Sequence, residues 1–268
     1  MRSVTEHRDA ILSAISPLPP AELALADCLG LVTTTDISSR VPLPGFDNSA
    51  MDGYAVRAAS VVGASAATPV TLTVVGEVAA GADASGLQVG PGEAVRIMTG
   101  AMMPAGADAV VMVERTDGGL ERVAVTEAVE SGRSIRPAGE DVQEGELVIP
   151  AGARVNARTL ALAASTGHPR LPVRPRPRVA IVSTGDELIP PGEALAPGQI
   201  HESNAIMLAA AVRTLGCEVV ASSAATDDPD ALVALLADLA GRCDALVTSG
   251  GVSMGAYDVV KAALHERG

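Results

Sequence analysis

Hydroxyls, acids and glycines are concentrated in three short stretches that each follow an apolar run. They are "STGDEL" (Ser183–Leu188), "ATDDPD" (Ala225–Asp230) and "TSGGVSMGAYD" (Thr248–Asp258). If the apolar runs are parallel strands, all three stretches lie at the carboxyl edge of one sheet, where open parallel sheets bind ligands. The spacing therefore predicts a ligand site made by three loops.

The third stretch carries the strongest signal for an oxyanion ligand. Gly250 and Gly251 let backbone N–H groups approach a phosphate closely, and Ser249 and Ser253 add hydroxyl donors. A predicted helix begins directly afterwards, and a helix N-terminus favours anions. The spacing of a nucleotide-binding P-loop is absent from the chain.

Each of these residues also has a purely structural interpretation. Asp228 precedes a proline, which is the pattern of a helix N-cap followed by proline at the first helical position. Asp258 could complement a helix dipole, and Glu187 could be a solvated loop acid. Asp227 is less easily explained in this way. The agreement of three loops in position favours a site over separate structural roles.

A fourth stretch, "PGFDNSAMDGYAV" (Pro44–Val56), combines acids with aromatic residues in a chain that has few of them. It contains the one phenylalanine, Phe46, and one of the two tyrosines, Tyr54, close to Asp47 and Asp52. No helical period runs through it. We interpret this stretch as part of a functional site.

Two further stretches are candidates with structural alternatives. "RIMTGAMMPAGADAVVMVE" (Arg96–Glu114) places Thr99 at the end of a predicted strand, and could equally be a strand–turn–strand element. "RPAGEDVQEGE" (Arg136–Glu146) contains Asp141 at a predicted domain boundary, where acids are commonly solvated.

The elements that must position the three loops alternate between strand and helix. Apolar strands and amphipathic helices follow one another from about residue 176, with Ser203 as an expected N-cap and Gly216 as an expected helix stop. This alternation predicts a doubly wound parallel α/β domain over 176–268. Three strands are few for such a sheet, so we expect the domain to be incomplete at its C-terminal end.

Residues 45–137 contain short β-prone runs separated by turn signals and predict a small β-rich domain. Asp117-Gly118-Gly119 predicts a hairpin turn between two of these runs. This domain is expected to be inserted in a mixed α+β linker domain formed by residues 1–44 and 138–175.

Helices are predicted in that linker domain over about Glu6–Ile15 and over Val155–Thr166. The stretch "RLPVRPRPRV" (Arg170–Val179) predicts extended backbone that cannot be helical, and we interpret it as a stiff linker.

Charge and composition exclude several classes of function. The chain of 268 residues has a net charge of −13, so nucleic acid and anionic membranes are poor partners. Cys28, Cys217 and Cys243 form neither a disulfide framework nor a zinc set, and no apolar run is long enough for a membrane helix. We expect a soluble cytoplasmic protein.

Six motifs occur in an order that identifies a family. "PGFDNSAMDGYAV", "RIMTGAMMPAGADAVV", "RPAGEDV", "STGDEL", "GQIHESN" and "TSGGVSMGAYDVVK" together closely resemble the MoeA type of molybdopterin molybdenumtransferase, which is related to the E domain of gephyrin. The resemblance runs from about residue 10 to 265, and six motifs in register are far more specific than one glycine pattern.

The resemblance implies an enzyme of molybdenum cofactor biosynthesis. Members of the family insert molybdate into adenylylated molybdopterin, hydrolyse the adenylate and release AMP, and they use a divalent cation, usually Mg²⁺. They are elongated homodimers, and the resemblance implies a site between the α/β domain of one subunit and the β-rich domain of the other, with the aromatic residues of the fourth stretch supporting its wall.

The residues that match the family's functional positions divide into three groups. The expected catalytic residues are Asp52, Thr99, Asp141, Glu187, Asp227 and Asp258. The residues expected to bind the pterin-side phosphate and cofactor are Ser183, Thr184, Gly185, Ser249, Gly250, Gly251 and Ser253. The expected metal ligands are Glu187, Asp227 and Asp258. The individual role of each acid stays open.

Two rival functions stay open beside the enzyme. Members of the family continue beyond this chain's last residue with the rest of the α/β domain and a small β-barrel, so a binding or scaffolding module that holds molybdopterin without turnover is the alternative. A nucleotide-dependent hydrolase unrelated to molybdenum is disfavoured, because the P-loop is absent and the motifs keep the family's order.

Overall fold

The computed structural model describes residues 2–226 and 228–250 of the chain. The chain divides into two compact units. The first consists of Met1–Leu23, Cys28–Thr34 and Pro172–Gly268, and the second of Ala24–Asp27 and Thr35–Leu171.

In the described residues the α-helices are α1 Val4–Ala14, α2 Ala157–Ser165, α3 Asn204–Thr214 and α4 Pro229–Ala240. The strands of the amino-terminal half are β1 Ala21–Ala24, β2 Val32–Thr33, β3 Ile37–Ser38, β4 Asn48–Ser49, β5 Gly53–Val56, β6 Val70–Val78, β7 Glu93–Ile97, β8 Ala109–Met112 and β9 Arg122–Val125. The later strands are β10 Ile135–Arg136, β11 Leu147–Ile149, β12 Arg170–Arg174, β13 Arg178–Thr184, β14 Leu188–Ile189, β15 Ile200–His201, β16 Glu218–Ala225 and β17 Ala245–Ser249.

The carboxyl-terminal part of the first unit is a parallel sheet covered on both faces, as the strand–helix alternation predicted. The strand order is β16-β13-β17, and both pairings are parallel. Successive side chains of β13 point to opposite faces. Ile181 belongs to a cluster with Ala209 of α3, whereas Val182 belongs to a second cluster with Leu232 of α4. The described sheet is therefore doubly wound.

Local sequence signals set the ends of the helices in this sheet. The Asp228 carboxylate accepts hydrogen bonds from the first-turn N–H groups of α4, which confirms its N-cap role. Gly216, with a φ of +82°, follows the end of α3 as predicted. The prediction for Ser203 was only half right: it is the N-cap by position, but its side chain makes no capping hydrogen bond. The Glu202 carboxylate accepts from Ala205 N instead.

The arginine- and proline-rich stretch is extended, but its first half is not a free linker. Arg170–Arg174 forms strand β12 in a three-stranded sheet of order β1-β12-β2. Leu171 and Val173 are fully buried on one face of β12. The interpretation as a linker was wrong here, because the alternating apolar side chains give this segment a core-facing side that offsets the missing proline donor.

The second unit is built on a five-stranded sheet of order β8-β5-β7-β6-β9, which confirms the β-rich character of this region. One face packs Tyr54 and Leu72 in a buried cluster, and the other packs Val95 and Ile97. Gly53 brings β5 close to its neighbour, since a Cβ there would lie 2.0 Å from the Val111 carbonyl oxygen. This close approach fixes the position of Asp52, which directly precedes β5.

The predicted hairpin turn at Asp117-Gly118-Gly119 is formed, but the pairing across it does not extend to β8. The Asp117 carboxylate accepts from Gly119 N at 3.2 Å and from Ala124 N at 2.9 Å, and Thr116 bridges to Val125. However, β8 and β9 lie at opposite edges of the sheet. β8 pairs with β5 and β9 pairs with β6, so the local antiparallel pairing involves residues 115–117 and 124–126.

Short elements complete the two units. β4 pairs with β10 and β3 with β11 in antiparallel fashion. Helix α2 begins after Asn156, whose side chain accepts from two first-turn N–H groups, so the helix predicted over Val155–Thr166 is confirmed with slightly shorter bounds. The amino-terminal helix is likewise confirmed, shifted to Val4–Ala14. Among the described helices, none is both long and apolar enough to span a membrane.

Candidate functional site

In the second unit, Asp52 and Thr99 are in direct contact, as two residues of one predicted site should be. The Asp52 Oδ1 atom accepts hydrogen bonds from the Thr99 backbone N–H at 2.6 Å and from the Thr99 hydroxyl at 2.7 Å. Asp52 lies just before β5 and Thr99 just after β7, and these strands are antiparallel neighbours. Adjacent ends of paired strands thus bring together residues from two sequence motifs.

These contacts keep Asp52 ionised. The Thr99 backbone N–H lowers the pKa of Asp52 most, and the Thr99 hydroxyl lowers it further. Loss of solvation raises the pKa, and the positive charge of Arg96 lowers it. Asp52 is exposed, and within the part of the chain that the structure describes both of its side-chain hydrogen bonds are to Oδ1. It is therefore a fixed, negatively charged group that is accessible from solvent.

The backbone before Asp52 is held by the segment that follows β7. Ser49 N donates to Ala101 O at 3.0 Å, and Gly100 N donates to Ser49 O at 2.8 Å.

The two aromatic residues of the fourth stretch, Tyr54 and Phe46, differ in exposure. Tyr54 is fully buried and donates from its hydroxyl to Gly119 O at 3.0 Å, whereas Phe46 is 40% exposed. Tyr54 is therefore a core residue rather than a lining residue.

Asp141, also in the second unit, is engaged in an ion pair. Arg136 Nη2 lies 2.6 Å from Asp141 Oδ2, and Arg136 Nε lies 3.2 Å from Glu140 Oε2. The hydrogen bond from Arg136 to Asp141 is the main cause of a raised pKa of Arg136. Asp47 braces this segment, because its carboxylate accepts from Ala138 N at 2.7 Å.

In the first unit, the carboxyl edge of the parallel sheet brings the first predicted loop close to the other two. Gly185 N donates to Ala225 O at 3.2 Å, which joins the first and second loops. Gly250, with a φ of +95°, lies against Thr184: a Cβ at this position would be 2.7 Å from the Thr184 carbonyl oxygen and 2.8 Å from its hydroxyl oxygen. Only glycine allows this approach of the third loop to the first.

This edge is also a topological switch point. From β13 the chain runs through α3 to β16 on one side, and then through α4 to β17 on the other side. A crevice opens at the carboxyl ends of the strands where the strand order reverses, and ligands bind in such crevices.

Three buried hydroxyls without partners, among those that the structure describes, lie in the last three residues of β13 and β16. Among the described residues, the side-chain oxygens of Ser183, Thr184 and Ser223 are buried and have no hydrogen-bond partner. Ser183 is 1% exposed and Thr184 is 6% exposed. Because an unsatisfied buried hydroxyl is unfavourable, such groups indicate a place where a bound molecule completes the hydrogen bonding.

The carboxylates of the predicted metal site are only partly described. Glu187 is exposed and lies over the first loop, since a Cβ on Gly185 would be 2.5 Å from Glu187 Oε2. The other expected acids, Asp227 and Asp258, lie outside the described residues, as do Gly251 and Ser253. Within residues 2–226 and 228–250, no three His, Cys, Asp or Glu side chains come together in an arrangement that could hold a metal ion.

The structure adds residues that sequence reasoning missed. Asn204 Nδ2 donates to Ser249 Oγ at 2.9 Å, and Glu202 is a nearly buried carboxylate at the start of α3. The signal for both was present in "GQIHESN", which was matched only as a family motif. Ser223 gave no signal, because a serine within a strand is not by itself unusual.

Two sequence families match the chain over almost its whole length. Residues 2–167 match a family described as "MoeA N-terminal region (domain I and II)". Residues 180–268 match a family described as "Probable molybdopterin binding domain".

Two curated relatives are named as molybdopterin molybdenumtransferases. Molybdopterin molybdenumtransferase 2 from Mycobacterium tuberculosis is 49% identical over 264 residues, which is 98% of this chain and 65% of that protein. The molybdopterin molybdenumtransferase from Nostoc sp. is 41% identical over 239 residues, covering 89% of this chain and 55% of that protein. The chain thus spans 65% or less of the length of these two relatives.

A solved structure agrees with these matches. The crystal structure of the molybdopterin biosynthesis MoeA protein from Pyrococcus horikoshii superposes with a TM-score of 0.75 at 34% sequence identity. The superposition covers 97% of this chain and 65% of that one.

Proposed function

The chain belongs to the MoeA family of molybdopterin molybdenumtransferases, and from this premise we propose that it acts in molybdenum cofactor biosynthesis by inserting molybdate into adenylylated molybdopterin. The adenylate is hydrolysed in the process and AMP is released. One observation carries the proposal: the buried, unpartnered hydroxyls of Ser183 and Thr184 line a switch-point crevice in a chain that is 49% identical to a molybdopterin molybdenumtransferase.

The first unit would bind the substrate through neutral donors. The Ser183, Thr184 and Ser249 hydroxyls, together with the backbone around Gly185 and Gly250, would hold the pterin-side phosphate. Gly251 and Ser253 belong to the same proposed loop. Neutral donors suit a chain with a net charge of −13, because they bind an oxyanion without requiring a lysine at the site.

The second unit would supply a fixed acid. Asp52, held by Thr99, would act at the reacting end of the substrate, and Asp141 would support it. We propose a homodimer in which Asp52 and Thr99 of one subunit act on substrate held by the α/β unit of the partner. The proposal rests on the exposure of the Asp52 carboxylate, which has an oxygen free to face a second molecule.

A magnesium ion fits the chemistry of the donors that are present. Mg²⁺ prefers carboxylate oxygens and substrate phosphates, and Glu187 is an exposed carboxylate at the crevice. We propose that Glu187 holds it with Asp227 and Asp258. When bound, the ion would neutralise negative charge on the diphosphate group of adenylylated molybdopterin.

Two further proposals concern the organisation of the chain and its location. We divide the chain into a linker domain (1–44 and 138–175), a β-rich domain (45–137) and an α/β domain (176–268). We also propose a cytoplasmic location, which is supported by the absence of a disulfide among Cys28, Cys217 and Cys243.

The test is AMP release from adenylylated molybdopterin, followed by chromatography with and without molybdate and Mg²⁺. The proposal predicts release that depends on both additions, and loss of release in Asp258→Asn with molybdopterin binding retained. Molybdopterin binding without any molybdate-dependent release would identify a binding module instead. Absence of binding would overturn both functions.

A further inference from the structure

The side-chain hydrogen bond between Asn204 and Ser249 joins two elements at the switch point. Asn204 is the first residue of α3, and Ser249 is the last residue of β17. Asn204 Nδ2 donates to Ser249 Oγ at 2.9 Å, across 45 positions of the chain. The Asn204 amide thus donates a hydrogen bond to a hydroxyl at the carboxyl edge of the sheet.

The direction of this hydrogen bond determines what the Ser249 hydroxyl can do. A serine hydroxyl has one proton to donate and can also accept. Because the amide proton of Asn204 is directed at Ser249 Oγ, the hydroxyl proton of Ser249 must point elsewhere. The contact therefore presents Ser249 as a hydrogen-bond donor.

A second donor lies beside it. Ser183 is the register partner of Ser249 on the neighbouring strand, so the two side chains point to the same face of the sheet. Ser183 is 1% exposed, and its hydroxyl has no partner among the described residues. Two adjacent hydroxyls with protons available for a ligand are suited to the oxygens of a phosphate group.

The Ala205 N–H, in the first turn of α3, is already occupied. The Glu202 carboxylate accepts the Ala205 N–H through both of its oxygens, at 2.9 and 3.1 Å. An anion at this helix N-terminus would therefore meet a donor already in use and a negative charge. The hydroxyls of Ser183 and Ser249 are the better placed donors.

We propose that Asn204 is a positioning residue that orients the Ser249 hydroxyl so that Ser249 and Ser183 together donate to a phosphate oxygen of the ligand. This inference rests on the proposed function, because the phosphate is that of molybdopterin. It assigns a role to a residue that acts through Ser249 and does not itself contact the ligand.

The decisive variant is Asn204→Asp, which keeps the shape of the side chain and reverses the hydrogen bond. The new carboxylate accepts the Ser249 proton, so the hydroxyl can no longer donate to the ligand. An acid in the first turn of a helix is favourable, so α3 is expected to keep its stability. Equilibrium dialysis against molybdopterin should show binding weakened by roughly tenfold to a hundredfold, the range for losing a hydrogen bond to a charged group.

A pH series tests whether the ionised carboxylate, rather than a disturbed helix α3, causes the loss of binding. Protonation of the introduced carboxyl, near pH 4 for an ordinary aspartate, restores a donor toward Ser249. Molybdopterin binding by Asn204→Asp should thus recover, relative to the wild type, as the pH falls through that value, whereas Asn204→Ala should show no such recovery. Glu187 and Glu202 are present in all three proteins, so binding by each variant is compared with wild-type binding at the same pH.

Asn156→Asp is the matched control, because Asn156 caps α2 by accepting hydrogen bonds and an aspartate accepts in the same way. It should leave molybdopterin binding unchanged. Wild-type-like binding by Asn204→Asp would overturn the inference and leave the proposed function standing, since the amide would then be the acceptor. Absence of binding by the wild type would overturn the proposed function and the inference with it.

Discussion

The Asp52–Thr99 contact in the five-stranded sheet and the hydroxyl-rich edge of the parallel sheet differ in how their polar groups are satisfied. Asp52 receives two short hydrogen bonds from Thr99. The Ser183 and Thr184 hydroxyls are buried and have no partner among the described residues. In the first region the hydrogen bonds are already formed within the protein, whereas in the second they would be completed by the ligand that we propose.

This difference supports the separate roles that we propose for the two regions. A charge that must act on a reacting group benefits from being fixed before the substrate arrives. A binding surface gains affinity when its donors are left unsatisfied until the ligand supplies the acceptors. The four predictions below test this contrast, from the largest expected effect to the smallest.

The largest effect is expected from truncating a large buried side chain in the core of either sheet. Leu232 in α4 and Leu72 in β6 are each no more than 1% exposed. Leu232→Ala and Leu72→Ala should each lower the free energy of unfolding by about 2–5 kcal/mol in urea denaturation. Hydrogen exchange should show faster exchange in β13 and β16 for the first variant and in β5 and β7 for the second. Loss of protection in both sheets from one variant would contradict two separate cores.

The next effect concerns turnover in the fixed region. Asp52→Ala should lower molybdate-dependent AMP release by about a hundredfold or more, which is typical of losing a positioned catalytic acid. Asp83→Ala is the matched control, since the Asp83 carboxylate also accepts from the backbone N–H and the hydroxyl of one residue, Ser85, although through two oxygens rather than one. An equal loss in both variants would mean that Asp52 has no special role.

A smaller effect is expected when a threonine is replaced by valine in each region. The free energy of unfolding should rise in one region and fall in the other. Thr184→Val removes a buried hydroxyl without a partner and should raise the free energy of unfolding by about 1 kcal/mol, while weakening molybdopterin binding. Thr99→Val removes a donor to Asp52 and should lower stability slightly. Thermal denaturation of the two variants gives the signs. A decrease for Thr184→Val would show that its hydroxyl is satisfied in the free protein.

The smallest effect is a shift in the titration of Asp52. Its pKa is lowered in the folded protein by Thr99. The resulting stabilisation is therefore complete above the unfolded-state pKa, about 3.9, and is lost as the pH falls through the lower folded value. Thr99→Val should raise the pKa of Asp52, as measured by NMR of the carboxyl carbon. The pKa of Asp83 should stay unchanged, and an unmoved Asp52 would exclude the Thr99 hydroxyl as a cause.

Local patterns in the sequence were sufficient for much of the fold. The alternation of apolar runs with amphipathic segments predicted the parallel sheet, and with it the position of the three loops at one edge. Asp228 before proline predicted the start of α4. These features depend on residues that are neighbours in the chain, so hydrophobic periodicity and capping preferences are enough to predict them.

Only the tertiary structure decided which distant residues meet. Thr99 and Asp52 are 47 positions apart, and Asn204 and Ser249 are 45 apart. The separation of β8 from β9 and the burial of β12 likewise follow from pairings with strands elsewhere in the chain. Sequence patterns carry propensity and periodicity, whereas the choice among distant partners depends on how complementary surfaces pack, and that is settled only when the whole chain folds.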